Sequence, residues 1–427
     1  MANDLIDQGI DRLLSHDPGM LRCPYQLYTQ ARESRPVFWS EAIGAYIVTR
    51  HEDVVAVARD TETFSNRDSA IPGPARRADV AAIEKITRGL AEFDDARDDY
   101  PFVDFPQVLS DADAPAHGMH RRMVLRALSA KRVRALGDVI SAICDELVDA
   151  VLPAGRCELV TDLARPLPSR VILTALGIPE SESPAISAMI DGIGLPVGNP
   201  HLTPEQQLER LRCHRDFSAY FRQLLADRRR EPRDDLVSVI ANAEAGEAQL
   251  TEPEQLSLVM QLVSAGHETT TRLIAATMLH LLGDDELRRR VLAEPDALGT
   301  VIDEVLRLES PVQGIFRLTT RPTRIGDVDI PADAVIWILW ASANRDPEYV
   351  ECPERLRLDR PDSKSHLAFG HGQHFCPGAQ LAQLEARIAV RTLLERLPNL
   401  RLDIPADEVP FLPSIVMHGP VTMPVSF

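Results

Sequence analysis

The sequence predicts a mainly α fold with small β-sheets, on three observations. Residues 135–310 read as a succession of amphipathic helices, with apolar residues recurring at helical spacing. One helix, starting at Thr251, runs for about 30 residues, or roughly 45 Å at the rise of an α-helix. Strand-like runs are short and few. No internal repeat and no Gly/Ser linker divides the 427 residues, so the chain reads as a single domain over 1–427.

The elements follow in order. The opening MANDLIDQGIDRLL has no basic region leading into an apolar run, so no secretory leader is expected. Val37–Trp39 and Ala45–Thr49 pair as a hairpin. Residues 66–112 form a long region whose centre carries Glu92, Asp94, Asp95, Asp98 and Asp99. Those charges read as a solvated loop, and long loops inside compact domains are often binding loops or lids. Helices are punctuated at Pro153-Ala-Gly155, Gly177-Ile-Pro179, Gly198-Asn-Pro200 and Gly283-Asp-Asp285, with a second break over 195–204. Thr251 can cap the long helix, Glu254 sits three residues on as in a capping box, and Pro253 suits the first turn. Its apolar pattern runs through Leu256, Met260, Val263, Ile274, Met278 and Leu281 to a stop at Gly283. Thr323–Ile330 and Val335–Leu339 read as a second hairpin, and Ile415–Met417 as a further strand. Pro377 opens a last helix through Leu381, Leu384, Ile388 and Leu394.

Composition narrows the function classes. The 46 basic and 64 acidic side chains leave a net charge of −18. Like charges repel, so a bulk nucleic-acid or anionic-membrane binder is disfavoured, while a local basic patch is not. Six widely spaced cysteines without a leader imply reduced thiols and a cytoplasmic protein. No apolar run approaches the ~20 residues that span a bilayer, so no membrane anchor is expected.

Two stretches break local rules. Ala265-Gly266-His267-Glu268-Thr269-Thr270-Thr271 puts a glycine, an acid and three β-branched alcohols inside the long helix. Gly costs about 1 kcal/mol there relative to Ala. Thr hydroxyls compete for helix carbonyls and favour a local bulge or kink. Such a sequence either makes room for a flat ligand or is a polar helix face with an incidental Gly. A zinc-protease reading fails, because position 271 is Thr where a second His is needed. The second stretch runs from His366 to Gly378, with glycines at 370, 372 and 378 that let backbone approach something closely. Cys376 falls just before a helix N-terminus, whose partial positive charge favours thiolate, a metal ligand or nucleophile. The other five cysteines read as small core residues.

Phe369-x-x-Gly372-x-x-x-Cys376-x-Gly378 resembles the haem-binding signature of the cytochrome P450 superfamily, of the bacterial, soluble kind. Four further motifs resemble that family in the right order. Ala265-Gly266-x-Glu268-Thr269-Thr270 is similar to its oxygen-activation motif, and Glu304-x-x-Arg307 to its charged pair. Pro353-Glu354-Arg355 is similar to the segment whose Arg joins that pair, and His117-x-x-x-Arg121 to a helix that binds a haem propionate. The resemblance covers the chain from about Pro24 onward and implies the P450 fold, with the long central helix over a haem b.

It also implies roles. Cys376 would be the axial ligand of the iron, whose electron donation favours O–O cleavage. Phe369 would shield the sulfur, and Ala265, Gly266 and Gly378 would lie against the cofactor. Pro377 departs from the aliphatic residue common there and removes one N–H near the sulfur. His117, Arg121, Arg317 and His374 would hold the propionates through charge-assisted bonds. Glu268 and Thr269 would relay protons into an apolar pocket. Glu304, Arg307 and Arg355 would form a buried structural network. By family position Ile190, Ile193, Leu195, Val197, Leu262, Ile315, Phe316, Phe411 and Leu412 would line an apolar substrate pocket. Core packing is the plain alternative for them, and the Arg76–Arg77 pair is the one candidate clamp for a carboxylate.

The implied activity is insertion of one atom of O2 into an apolar small molecule by hydroxylation or epoxidation. A fatty acid, terpenoid, steroid or polyketide substrate fits equally. A haem domain uses the whole chain, so electrons would come from NAD(P)H through a separate ferredoxin reductase and ferredoxin. Residues 114–137 contain no acid but carry Arg121, Arg122, Arg126, Lys131, Arg132 and Arg134, where an acidic ferredoxin would dock. Alternatives are a peroxygenase using H2O2, which typically replaces the acid–alcohol pair kept here, and a non-catalytic haem-thiolate sensor, which usually carries a signalling module.

Overall fold

The computed structural model describes residues 2–67, 69, 85–88, 106–194, 203–243, 250–361 and 363–427. The chain divides into two compact units. One comprises Met1–Asn66, Val133–Pro168 and Glu268–Phe427, and the other Arg67–Arg132 and Ser169–His267.

The first unit holds every described strand. These are β1 (Val37–Ser40), β2 (Ala45–Val48), β3 (Phe64–Ser65), β4 (Arg156–Glu158), β5 (Ile315–Thr319), β6 (Thr323–Ile325), β7 (Val328–Ile330), β8 (Val335–Ile338), β9 (Arg401–Leu402) and β10 (Pro424–Ser426). The expected β1–β2 hairpin forms, with Val37 opposite Val48. It extends into a five-stranded sheet of order β1-β2-β8-β5-β3. All four residues of β8 are buried, as a central strand covered on both faces requires. The expected second hairpin is corrected. β6 and β7 pair with each other within residues 323–330, and β8 pairs instead with β5 and, in parallel, with β2. A short polar-edged segment makes its own tight hairpin, while the wholly apolar β8 is drawn to the sheet centre. Met417 makes a single bridge to Val312 rather than a strand.

The second unit is built from helices. Phe217 and Phe221, one turn apart on the helix Pro204–Arg230, lie 4.4 Å between ring centroids and are buried among Ile172, Leu173, Leu236 and Leu258. That helix begins at a capping box made by Thr203 and Gln206.

The central helix runs unbroken from Glu252 to Gly283. Its capping box forms as expected: the Thr251 N–H donates to Glu254 Oε2 at 2.7 Å, and the Glu254 N–H donates back to Thr251 Oγ1 at 3.4 Å. The expected bulge at 265–271 is absent; the helix stays α throughout. Thr277 shows how a buried alcohol is accommodated without one, donating to the Leu273 carbonyl at 2.7 Å. Asp284 then caps the next helix, accepting from the N–H groups of Glu286 and Leu287 at 3.0 Å each.

Candidate functional site

Cys376 sits half-buried three residues before the helix Ala379–Arg396. Its N–H donates to the Phe369 carbonyl at 2.8 Å, which closes the loop between them. Gly370 and Gly372 take φ of +75° and +72°, a left-handed conformation that disfavours side chains. A Cβ on Gly372 would also come within 3.3 Å of the Ala58 carbonyl oxygen. Gly378 has an ordinary φ, and a Cβ there would stand 3.8 Å from Cys376 Sγ. The glycines therefore shape a tight loop that presents one thiol. Phe369 packs edge-on against Phe375, with centroids 6.2 Å apart, and beside His366 at 5.6 Å.

In the same unit, Arg317 on β5 is 1% exposed and donates one N–H to the Phe316 carbonyl at 2.8 Å. A guanidinium taken so far out of water calls for anionic company. His374 is half-buried in the turn Gly372–His374. In the second unit, His117 and Arg121 lie one turn apart on the helix Ala116–Ala127. Burial, with Arg121 and His120 adding repulsion, brings the His117 imidazole down to about 4. It is therefore neutral at pH 7 as it stands, and a carboxylate beside it would favour its protonation. Within the first unit, a thiol at a helix start in a glycine-shaped loop, with the buried Arg317 guanidinium and the His374 imidazole as donors for carboxylates, fits a haem.

Along the central helix, Thr270–Leu279 are all buried, whereas Ser264 and Ala265 are exposed and Gly266, Glu268 and Thr269 half-exposed. Residues 264–269, His267 apart, thus form an accessible stretch just before ten buried residues. Within the second unit, a Cβ on Gly266 would meet Ile172 at 3.5 Å, an ordinary contact, so space alone does not demand the glycine. Glu268 is gripped by Arg272 one turn on, whose Nε donates to Oε1 at 2.8 Å.

Glu304 is fully buried on the helix Ala297–Glu309. Arg307 grips it in two places, Nε to Oε1 at 2.8 Å and Nη2 to Oε2 at 3.0 Å. The expected third member is corrected. Arg355 is exposed and contributes its carbonyl, which accepts from Arg307 at 3.0 Å. The guanidinium that reaches Glu304 is that of Arg360, at 3.0 Å, and the Arg357 N–H adds another bond at 3.0 Å. Burial pushes the Glu304 carboxyl up, but the Arg307 and Arg357 hydrogen bonds and the two guanidinium charges hold it below its usual value.

The expected pocket residues divide. Ile190 and Leu262 are buried in the second unit's core, with Ile193 packed against it. In the first unit, Phe316 stacks on Trp337, with centroids 5.7 Å apart, inside the core, while Ile315 is half-buried on the same strand. Leu412 is also half-buried and its N–H donates to the Gly419 carbonyl at 3.0 Å. Phe411 lines a different feature, a groove of about 1130 Å³ that also takes in Tyr25, His280, Glu309 and Arg345. There Glu309 accepts from His280 at 2.8 Å and from His418 and Tyr25 at 3.0 Å each. Leu195, Val197, Arg76, Arg77 and the acidic residues 92–99 lie outside the described residues.

The basic segment is largely exposed at Arg122, Arg126 and Lys131, with Leu125 42% exposed between the first two. Arg132 is already paired with Asp234. Among the described residues no helix is long and apolar enough to cross a membrane.

Comparison with known proteins places this geometry in a family. The profile described as Cytochrome P450 matches residues 107–417. "Cytochrome P450 107B1" of Saccharopolyspora erythraea is 33% identical over 420 residues, covering 97% of each chain. "Mycinamicin IV hydroxylase/epoxidase" of Micromonospora griseorubida is 32% identical over 394 residues, 92% of this chain and 91% of the relative. The solved structure of cytochrome P450 CYP109Q5 from Chondromyces apiculatus superposes with a TM-score of 0.81 at 34% identity, covering 96% of this chain and 97% of that one.

Proposed function

The chain belongs to the cytochrome P450 family of haem-thiolate monooxygenases, and on that premise we propose that it hydroxylates or epoxidises an apolar small organic molecule with electrons from NAD(P)H. One oxygen atom of O2 enters the substrate, and the other leaves as water with two electrons and two protons. Bound haem would supply the activation of O2.

The observation that carries this reading is the Cys376 loop. Two positive-φ glycines and the Phe369 carbonyl hold a half-buried thiol at a helix start. Cys376 would hold the cofactor through its thiolate. Arg317 and His374 would bind its carboxylates, the role that the resemblance also gives to His117 and Arg121. On the accessible stretch of the central helix, Thr269 holds a water or reacting oxygen through its hydroxyl, and Glu268 passes protons toward it. The intact acid–alcohol pair favours O2 over peroxide as the oxidant.

The reductants are a ferredoxin and an NAD(P)H-dependent ferredoxin reductase, with the ferredoxin docking on Arg121, Arg122, Arg126, Lys131 and Arg132. Exposed cations around one exposed leucine suit an acidic partner with a small apolar contact. The substrate is a polyketide, with steroids and fatty acids the other classes to screen. The similarity to "Polyketide biosynthesis cytochrome P450 PksS" of Bacillus subtilis, 30% identical over 430 residues, supports the first of these.

The test is turnover of spectrally selected compounds from a macrolide, steroid and fatty-acid panel with isotopically labelled O2, ferredoxin, reductase and NAD(P)H. One labelled atom per product molecule is the expected result. Product carrying oxygen from water, or formed equally well from peroxide alone, would overturn the reading.

A further inference from the structure

Asp303 lies on the helix Ala297–Glu309, next to Glu304, and is 4% exposed. A carboxylate taken so far out of water calls for donors. The guanidinium groups of Arg307 and Arg360 are engaged by Glu304. The partners of Asp303 are different. Gln383 Nε2 donates to Asp303 Oδ1 at 2.9 Å. His366 Nε2 stands 3.9 Å from the same oxygen, a polar contact beyond hydrogen-bond range. The His366 ring is oriented through its other nitrogen. Nδ1 accepts from the Ala368 N–H at 3.3 Å, so the hydrogen of the neutral ring sits on Nε2, on the side of the carboxylate. These two partners belong to opposite flanks of the Cys376 loop, and all lie in the first unit. His366 precedes Phe369, whose ring lies 5.6 Å from its own. Gln383 is on the helix Ala379–Arg396 that follows Cys376. Between them the Cys376 N–H donates to the Phe369 carbonyl, and one backbone bond of this kind has a modest net worth. Gly370, Gly372 and Gly378 add conformational freedom that the folded loop gives up. A loop so composed gains from being held at its base.

We propose that Asp303 is a positioning residue for Cys376: by gathering His366 and Gln383 at one carboxylate oxygen, it closes the base of the glycine-rich loop and keeps the sulfur where it serves as a metal ligand. The inference rests on the reading of Cys376 as the thiolate that holds a haem. Partners outside the ligand shell commonly orient metal ligands. Here the partner acts on the two flanks of the loop rather than on the sulfur itself. Two adjacent acids on one helix thus have separate duties, Glu304 in the ion network and Asp303 at the loop.

The test follows the reduced carbon monoxide complex of the haem-loaded protein at a temperature below unfolding, with circular dichroism recorded in parallel. Gln383→Leu removes one arm of the staple at a half-buried position, and Asp303→Ala removes both. Each is expected to speed the loss of the long-wavelength Soret band of thiolate ligation by about tenfold or more, as for one lost hydrogen bond to a charged group, while the helical signal stays constant. Asp303→Asn keeps an oxygen for Gln383 and is expected to fall between the wild type and Asp303→Ala. Asp303→Ala combined with Gln383→Leu is expected to lose the band no faster than Asp303→Ala alone, because both changes act on one carboxylate. If Asp303→Ala does not take up haem, Gln383→Leu and Asp303→Asn decide the matter. Wild-type rates of band loss in these variants, whatever their melting temperatures, would overturn the inference, as would band loss that only follows global unfolding. If Cys376→Ala keeps the long-wavelength band, the underlying reading of the thiolate fails instead.

Discussion

At the scale of single residues, the site turns on two side chains whose neighbours are very different. Cys376 is held by backbone, through its own N–H and the glycines around it, and was legible because a loop of that kind needs glycine at fixed positions. Thr269 is a half-exposed alcohol on a helix whose next ten residues are buried. Thr269→Ala removes the hydroxyl without disturbing the helix, since Ala is the better helix former. Substrate-driven NAD(P)H consumption is expected to continue while product per NAD(P)H falls several-fold and peroxide rises, read by paired product and peroxide assays. Unchanged coupling would remove Thr269 from the proton path. Arg272 was not legible at this scale. Its i, i+4 spacing to Glu268 looks like any surface pair, and its burial against a turn some 150 residues later in the chain is a tertiary feature that spacing does not carry.

At the scale of elements, the buried Glu304 and the half-buried Glu309 close the helix Ala297–Glu309 onto the rest of its unit. For Glu309 burial pushes the carboxyl up, and the His280 and His418 hydrogen bonds more than reverse this, holding it well below its usual value. For a carboxyl lowered on folding, the stabilisation is complete above the unfolded-state value and is lost as pH falls through the folded one. Denaturant unfolding of the wild type is therefore expected to weaken steadily below about pH 5, and Glu304→Gln to flatten that dependence. Arg307→Ala leaves the Glu304 charge buried with fewer partners and is expected to cost about 3–5 kcal/mol. An equal acid slope in wild type and Glu304→Gln would show that the network does not carry it. The helix pair Glu304–Arg307 was readable from spacing alone. Its completion by Arg360 instead of Arg355 was not, because the choice depends on how the irregular 351–361 segment turns. Long helices were likewise legible through caps and periodicity. The order β1-β2-β8-β5-β3 was not, since pairing between distant strands leaves no local signal.

At the scale of the whole molecule, the net charge of −18 conceals a segment of opposite sign. Arg122 and Arg126 are exposed on one helix with Leu125 between them, and Arg132 pairs with Asp234. Reversing Arg122 and Arg126 to Glu is expected to slow reduction by ferredoxin at least tenfold at low salt, with the substrate-induced spectral shift titrating as in wild type. Stopped-flow reduction at two ionic strengths checks this, and unchanged rates would place the docking surface elsewhere. The central claim, that Cys376 holds a haem as a thiolate, is tested most directly by the carbon monoxide difference spectrum of the reduced protein. The long-wavelength Soret band of thiolate ligation is predicted for the wild type and its loss for Cys376→Ala. The same band surviving in Cys376→Ala, or a wild-type spectrum of the histidine-ligated kind, would contradict it.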